Sequence, residues 1–238
     1  MIYALLRGLM KLIVRVYLAR LFRVEGVENI PRTGPLIICP NHSGTIDPPL
    51  VPAFLPRGDS WSMAKSEFFN SPVLSFMYRR YHAFPVVRHT ADRAAIKRSS
   101  DLLKAGHVLV VYPEGTRVDS GVLAQPEPGA GFIAQRSACP VIPVALTGTQ
   151  ECLPKGAKWP RRVPVTVTFG KPFIVAVKRP DGARVTREEA SNAIMVAIAE
   201  LLPPDKRGDF KDIEVLRQRL AGVTIPVTEA GSATSETT

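Results

Sequence analysis

His42 and Asp47 stand five residues apart in PLIICPNHSGTIDPPLVP, residues 35–52. An imidazole can take a proton from a hydroxyl at neutral pH, and a carboxylate on its second ring nitrogen fixes the tautomer and stabilises the imidazolium. On a regular helix this pair would diverge by about 140°, given ~3.6 residues per turn. They meet only if the segment between them is a loop that folds back. Pro40 helps end the apolar run before it, and Gly44 loosens the turn. Asp47, just before Pro48, also suits the N-cap of a helix. No G-x-S-x-G surrounds Ser43, so the histidine is expected to activate a substrate's own hydroxyl. Cys39 is close enough in sequence to be conceived of as a nucleophile, but its place in an apolar run reads as a buried strand cysteine.

A second block, GHVLVVYPEGTRVDSG at 106–121, brings Pro113, Glu114, Gly115, Thr116 and Arg117 out of an apolar run into a loop. Gly115 permits close approach of backbone to ligand, Glu114 can accept hydrogen bonds from hydroxyls, and the fork of Arg117 suits a phosphate. A turn with a surface salt bridge is the other reading of these residues. A third block, YHAFPVVR at 81–88, is a short strand ending at Arg88. The fourth, CPVIPVAL at 139–146, is apolar and contains Pro143, which cannot donate to a sheet ladder and is expected at an edge, a bulge or a pocket wall.

In this order NHSGTID, FPVVR, YPEGTR and VIPVAL resemble the four motifs of the glycerolipid acyltransferases, most nearly the 1-acylglycerol-3-phosphate type. The likeness covers residues 36–146 well and 155–173 more loosely. It implies transfer of a fatty acyl group from acyl-CoA or acyl carrier protein, as co-substrate, to the sn-2 hydroxyl of a lysophospholipid acceptor, giving phosphatidic acid. It further implies His42 as general base, Asp47 as its orienter, Arg88 and Arg117 on the acceptor's phosphate, and Glu114, Gly115 and Thr116 in acceptor binding. No metal, cofactor or covalent acyl-enzyme is implied. Three places depart from the family pattern. His82 stands where glycine is usual, Val87 where a polar residue is common, and Pro126 and Glu127 where an aromatic–lysine pair is common. The last leaves open another lysolipid as acceptor.

Elements must hold these loops together. Apolar runs at 23–27, 35–39, 60–64, 83–87, 107–112, 141–146 and 163–169 read as strands. They alternate with helical stretches. One spans 90–105 and stops at Gly106; another follows the capping box at Thr186 and ends at Pro203. This predicts an α/β fold with a central mixed, mostly parallel sheet flanked by helices, whose strand ends carry ligand loops. The expected division is an N-terminal amphipathic helix at 1–22, a catalytic domain at 23–221 and a disordered tail at 222–238.

A net charge of +10 in 238 residues points to an anionic partner. No helix-turn-helix, RNA-binding aromatic motif or zinc knuckle argues for nucleic acid. Cys39, Cys139 and Cys152 have neither metal-ligand spacing nor a disulfide framework and suit a reducing compartment. Along the N-terminal segment Arg7, Lys11 and Arg15 fall on one helical stripe, largely away from Leu5, Leu6, Leu9, Ile13, Val16 and Tyr17. The charges interrupt any apolar span of ~20 residues and any signal-peptide core, so a helix lying on an anionic membrane surface is expected, bases toward headgroups. That would place the chain peripherally on the cytoplasmic face. An ordinary helix capping the core is the other reading, and a non-enzymatic basic membrane-binding module is the alternative for the whole chain.

Overall fold

The runs LIIC, VLVV and VIPVAL are apolar at every position, which requires a sheet covered on both faces. The computed structural model, which describes residues 2–88, 90 and 92–227, shows such a sheet. The first half of the chain forms α1 (Ile2–Leu18), β1 (Phe22–Glu25), β2 (Leu36–Pro40), α2 (Asp47–Phe54), β3 (Ser60–Lys65), α3 (Pro72–Arg80), β4 (Ala83–Val86), α4 (Arg93–Lys104) and β5 (Val108–Val110). The second half forms α5 (Pro128–Ser137), β6 (Val141–Thr147), α6 (Thr149–Cys152), β7 (Val165–Phe169), β8 (Phe173–Val175), α7 (Arg187–Leu201), α8 (Ile213–Arg219) and β9 (Thr224–Pro226).

The strand order is β1-β7-β6-β2-β5-β3-β4, with β8 joining β6 to β9. The pairs β1/β7, β6/β2, β2/β5, β5/β3 and β3/β4 are parallel; β6/β7, β6/β8 and β8/β9 are antiparallel. The sheet is therefore mixed and mostly parallel, as the alternation of runs predicts. Successive residues of β2 feed opposite cores. Ile37 and Cys39 pack toward Leu103, Ala134 and Ile194, while Leu36 and Ile38 pack toward Leu50, Phe54 and Leu18. Each fully buried aliphatic side chain contributes ~1.5–3 kcal/mol. Because β2, β3, β4, β5 and β6 run in one direction, the loops after them all emerge at the same edge of the sheet. That topology alone brings the four sequence blocks together.

Four details differ from expectation. Pro143 lies in β6, an interior strand, not at an edge. It is tolerated because it sits where β7 hands over to β8, and its carbonyl still accepts from Gly170 N at 2.8 Å. A side chain at Gly170 would meet the Pro143 ring at 2.8 Å, so the handover needs glycine. The chain is also ordered past 222: Val223 is buried, and Thr224–Pro226 adds a strand to the exposed edge of β8. The rest of the expected tail lies outside the described residues.

The third difference is the orientation of α1. The Arg7 guanidinium donates to Pro52 O at 2.8 Å and Leu55 O at 2.6 Å, satisfying carbonyls at the C-terminal end of α2. Lys11 lies over the Phe54 ring. The basic stripe thus faces the domain on two of its three residues, and Leu5, Leu9, Leu12, Ile13 and Val16 face outward. Fourth, His82 keeps the left-handed turn that glycine would occupy (φ +55). A left-handed non-glycine costs ~1–2 kcal/mol. Here the imidazole stacks between Tyr3 (3.8 Å between centroids) and Trp61 (4.5 Å), contacts worth ~0.5–1.5 kcal/mol each. The substitution fastens the start of α1 to β3 and β4.

Candidate active site

Strand β2 ends at Pro40, and the chain turns through Asn41–Gly44 into α2. Asn41 continues the sheet with its side chain: Oδ1 accepts from Leu146 N at 2.7 Å and Nδ2 donates to Leu146 O at 3.1 Å. Gly44 packs so closely that a Cβ would lie 2.7 Å from Thr149 Oγ1 and 2.8 Å from Asp47 Oδ1. This tight fold-back closes the five-residue gap. Asp47 Oδ2 accepts from His42 Nδ1 at 2.9 Å, Ser43 N at 2.9 Å and Gly44 N at 2.7 Å. A carboxylate only accepts, so the proton of the neutral ring sits on Nδ1 and Nε2 presents its lone pair. Asp47 opens α2 yet does not cap it; its carboxylate turns back into the loop and is 0% exposed.

The loop after β5 grips His42 on both sides of its main chain. Glu114 Oε2 accepts from His42 N at 2.6 Å, and Val118 N donates to His42 O at 2.8 Å. Glu114 Oε1 accepts from Ala124 N at 3.0 Å. Both oxygens of this buried carboxylate are thereby engaged by main-chain donors, so Glu114 ties the His42 loop to the loop that follows β5. Tyr112 packs its ring 4.4 Å from the His42 ring. Burial, with Asp47 and Tyr81 nearby, holds the Tyr112 phenol far above its ordinary range, and its hydroxyl has no partner among the described residues.

Arginines close the rim. Arg117 Nη1 donates to Thr45 Oγ1 at 2.6 Å and its Nε to Asp119 Oδ1 at 3.1 Å. Arg88 Nη1 donates to Thr116 Oγ1 at 3.3 Å. Gly115 takes φ +66, and a Cβ there would strike Glu127 Cγ at 2.8 Å. The structure therefore brings His42, Asp47, Arg88, Glu114, Gly115, Thr116 and Arg117 to one edge. Cys39 does not belong: it is fully buried in β2, and burial pushes its thiol up beyond any nucleophilic range. Among the described residues no three His, Cys, Asp or Glu side chains gather as a metal site.

Sequence reasoning passed over Asn41, Tyr112 and the Val118 amide. Asn41 had a local signal, an amide side chain directly after a strand-ending proline. Tyr112 and Val118 act through contacts between loops distant in sequence and had none.

Glu114 carries a pH consequence. Burial, partly offset by the two main-chain donors, raises its pKa to about 7 from 4.5. A carboxyl raised in the folded state binds its proton more tightly folded than unfolded, so its contribution to stability is full below ~4.5 and is lost as pH rises toward 7. Glu114→Gln is expected to abolish this dependence. The difference in thermal stability between wild type and variant should change by on the order of 2 kcal/mol between pH 4.5 and 7.5 and be flat above; a constant difference in thermal melts across that range would contradict it.

The arrangement is an imidazole backed by a carboxylate, with two guanidinium groups on the neighbouring loops. A family profile described as Acyltransferase matches residues 21–147. The 1-acyl-sn-glycerol-3-phosphate acyltransferase of Bacillus subtilis is 32% identical over 126 residues, 53% of this chain and 62% of that protein. The chloroplastic enzyme LPAT1 of Arabidopsis thaliana is 28% identical over 61% of this chain and 41% of its own length. The chain thus spans less than two thirds of these relatives. The crystal structure of the 1-acyl-sn-glycerophosphate (LPA) acyltransferase PlsC of Thermotoga maritima superposes with a TM-score of 0.61 at 27% identity, covering 76% of this chain and 70% of that one. The profile takes in β1 through β6 with every loop of the site, and on it the chain belongs to the acyltransferase family.

Proposed function

We propose that the protein transfers a fatty acyl group from acyl-CoA or acyl carrier protein to the sn-2 hydroxyl of 1-acylglycerol-3-phosphate at the cytoplasmic surface of a membrane. The relatives' names and the site's chemistry support this reading. The observation that carries it is the 2.9 Å contact of His42 Nδ1 with Asp47, in a loop to which Arg117 is tied through Thr45 and beside which Arg88 bonds Thr116.

In this mechanism His42 Nε2 takes the proton of the lipid hydroxyl as its oxygen attacks the thioester carbonyl. Asp47 keeps Nδ1–H aligned and balances the imidazolium. The tetrahedral oxyanion collapses, the C–S bond breaks, and the thiolate takes the proton back from His42. Phosphate binding to Arg117 and Arg88 places the hydroxyl for attack. Glu114 acts by fixing the main chain of His42.

Arg117→Ala is expected to raise KM for lysophosphatidate about 10–100-fold, the worth of a charge-assisted bidentate contact. It should change KM for a neutral monoacylglycerol acceptor far less. Equal losses on both acceptors would mean that Arg117 only braces Thr45 and Asp119. A second acceptor reading rests on Glu127, whose side chain packs against Gly115. An acid there disfavours a doubly charged phosphomonoester relative to a singly charged phosphodiester. In a panel of lysolipids with one acyl donor, lysophosphatidate as the poorest acceptor would replace the first reading with this one.

A further inference from the structure

The outward apolar stripe of α1 does not stop with the helix. At its last turn the Tyr17 hydroxyl donates to Pro160 O at 2.6 Å, fastening α1 to the loop between α6 and β7. That loop, LPKGAKWPRRVP at 153–164, carries Lys155, Lys158, Arg161 and Arg162 and no acidic residue. Trp159 is 82% exposed, more than any other large apolar residue described. Lys158, Arg161 and Arg162 are exposed and join no ion pair among the described residues. Lys155 instead bonds Asp119 at 2.7 Å, and Asp119 holds Arg117, so the loop's near end reaches the rim of the active site.

The indole is thus left largely to solvent, among cations that no described residue pairs. Its ring suits the headgroup level of a bilayer, and the cations suit lipid phosphates. The stripe beside it, Leu5, Leu9, Leu12, Ile13 and Val16, carries no charge that a folded partner protein would be expected to match. We propose that loop 153–164 is a second membrane-docking element. Together with the outward face of α1 it forms one surface seated on an anionic bilayer, Trp159 at the headgroup boundary and Lys158, Arg161 and Arg162 on phosphates. This rests on the membrane reading of α1 and adds to it a lipid-charge preference and a fixed orientation. Docking through the loop would hold the Asp119–Arg117 rim at the lipid surface, where the acceptor resides.

The chain has two tryptophans, so Trp61→Phe leaves Trp159 as sole reporter. With phosphatidylcholine vesicles containing a third phosphatidylglycerol, its emission should shift to the blue and be quenched by brominated acyl chains. Lys158→Ser/Arg161→Ser/Arg162→Ser in the otherwise native chain should weaken flotation with these vesicles about 100-fold, given ~1 kcal/mol for each of the three cations. It should leave weak binding to pure phosphatidylcholine unchanged. If the native chain floats, Leu9→Asp/Leu12→Asp abolishes flotation, and yet Trp159 does not shift or the triple variant binds like wild type, the loop proposal is wrong while the α1 reading stands. If the native chain does not float at all, both fail. Tighter binding to RNA than to anionic vesicles would assign the loop to another partner and overturn the proposal.

Discussion

Replacing His42 with alanine is expected to lower acyl transfer to a lysophospholipid by at least about 10³-fold while leaving the fold intact. A positioned general base contributes ~10²–10⁴-fold, and no other group at the site is placed to substitute. Glu114 has both oxygens engaged, Asp47 is buried behind the ring, and the Cys39 thiol is enclosed in β2. The fold should survive because the loop is held by its main chain. The His42 amide and carbonyl bonds to Glu114 and Val118 do not need the imidazole, and Asp47 keeps the Ser43 and Gly44 amides. Initial rates together with a thermal melt check this. A variant within a few-fold of the wild-type rate would mean that another group takes the proton.

Asp47→Asn should be almost as damaging, about 10³–10⁴-fold in kcat with little change in KM, because a neutral amide cannot balance the imidazolium in either orientation and in one of them forces the wrong histidine tautomer. Three donors converge on Asp47 Oδ2. If the asparagine oxygen takes their place, its NH2 is buried where Oδ1 now has no partner; if the NH2 takes their place, it confronts two amide N–H groups and forces the wrong histidine tautomer. Either arrangement also lowers stability by about 1–3 kcal/mol through an unsatisfied buried group. Adding Asp47→Asn to His42→Ala should cost little further activity, because the two act as one unit. Additive losses in this double variant would show that Asp47 contributes apart from the histidine.

Much of this was legible in the chain. Seven of the strands coincide with the seven runs: β2, β5 and β6 are buried on both faces and leave unbroken hydrophobic stretches, while β1 and β7 alternate as half-buried strands do. The capping box at Thr186 forms as written, with Glu189 N bonded to Thr186 Oγ1 and Thr186 N bonded to Glu189 Oε2. The His42–Asp47 loop could be read in part because Pro40 helps end β2 and Gly44 permits the chain to fold back. What could not be read depends on neighbours far away in sequence. The direction of α1 was one such case: its stripe is plain, but that Arg7 turns inward follows from the carbonyls of Pro52 and Leu55. The role of Glu114 was another, because its partners are amides of His42 and Ala124. The short strands β8 and β9 were missed because three residues each give too little alternation to register.

The most direct test of the central claim is an acylation assay on the purified 238-residue chain. It is supplied with lysophosphatidate and with oleoyl thioesters of coenzyme A or acyl carrier protein, and the lipid product is identified by mass. The account predicts phosphatidate bearing the new oleoyl chain at sn-2, formed by the wild type and not by His42→Ala. A chain that binds both substrates yet yields no acylated lipid, or a variant that makes it as fast, would contradict the proposed chemistry.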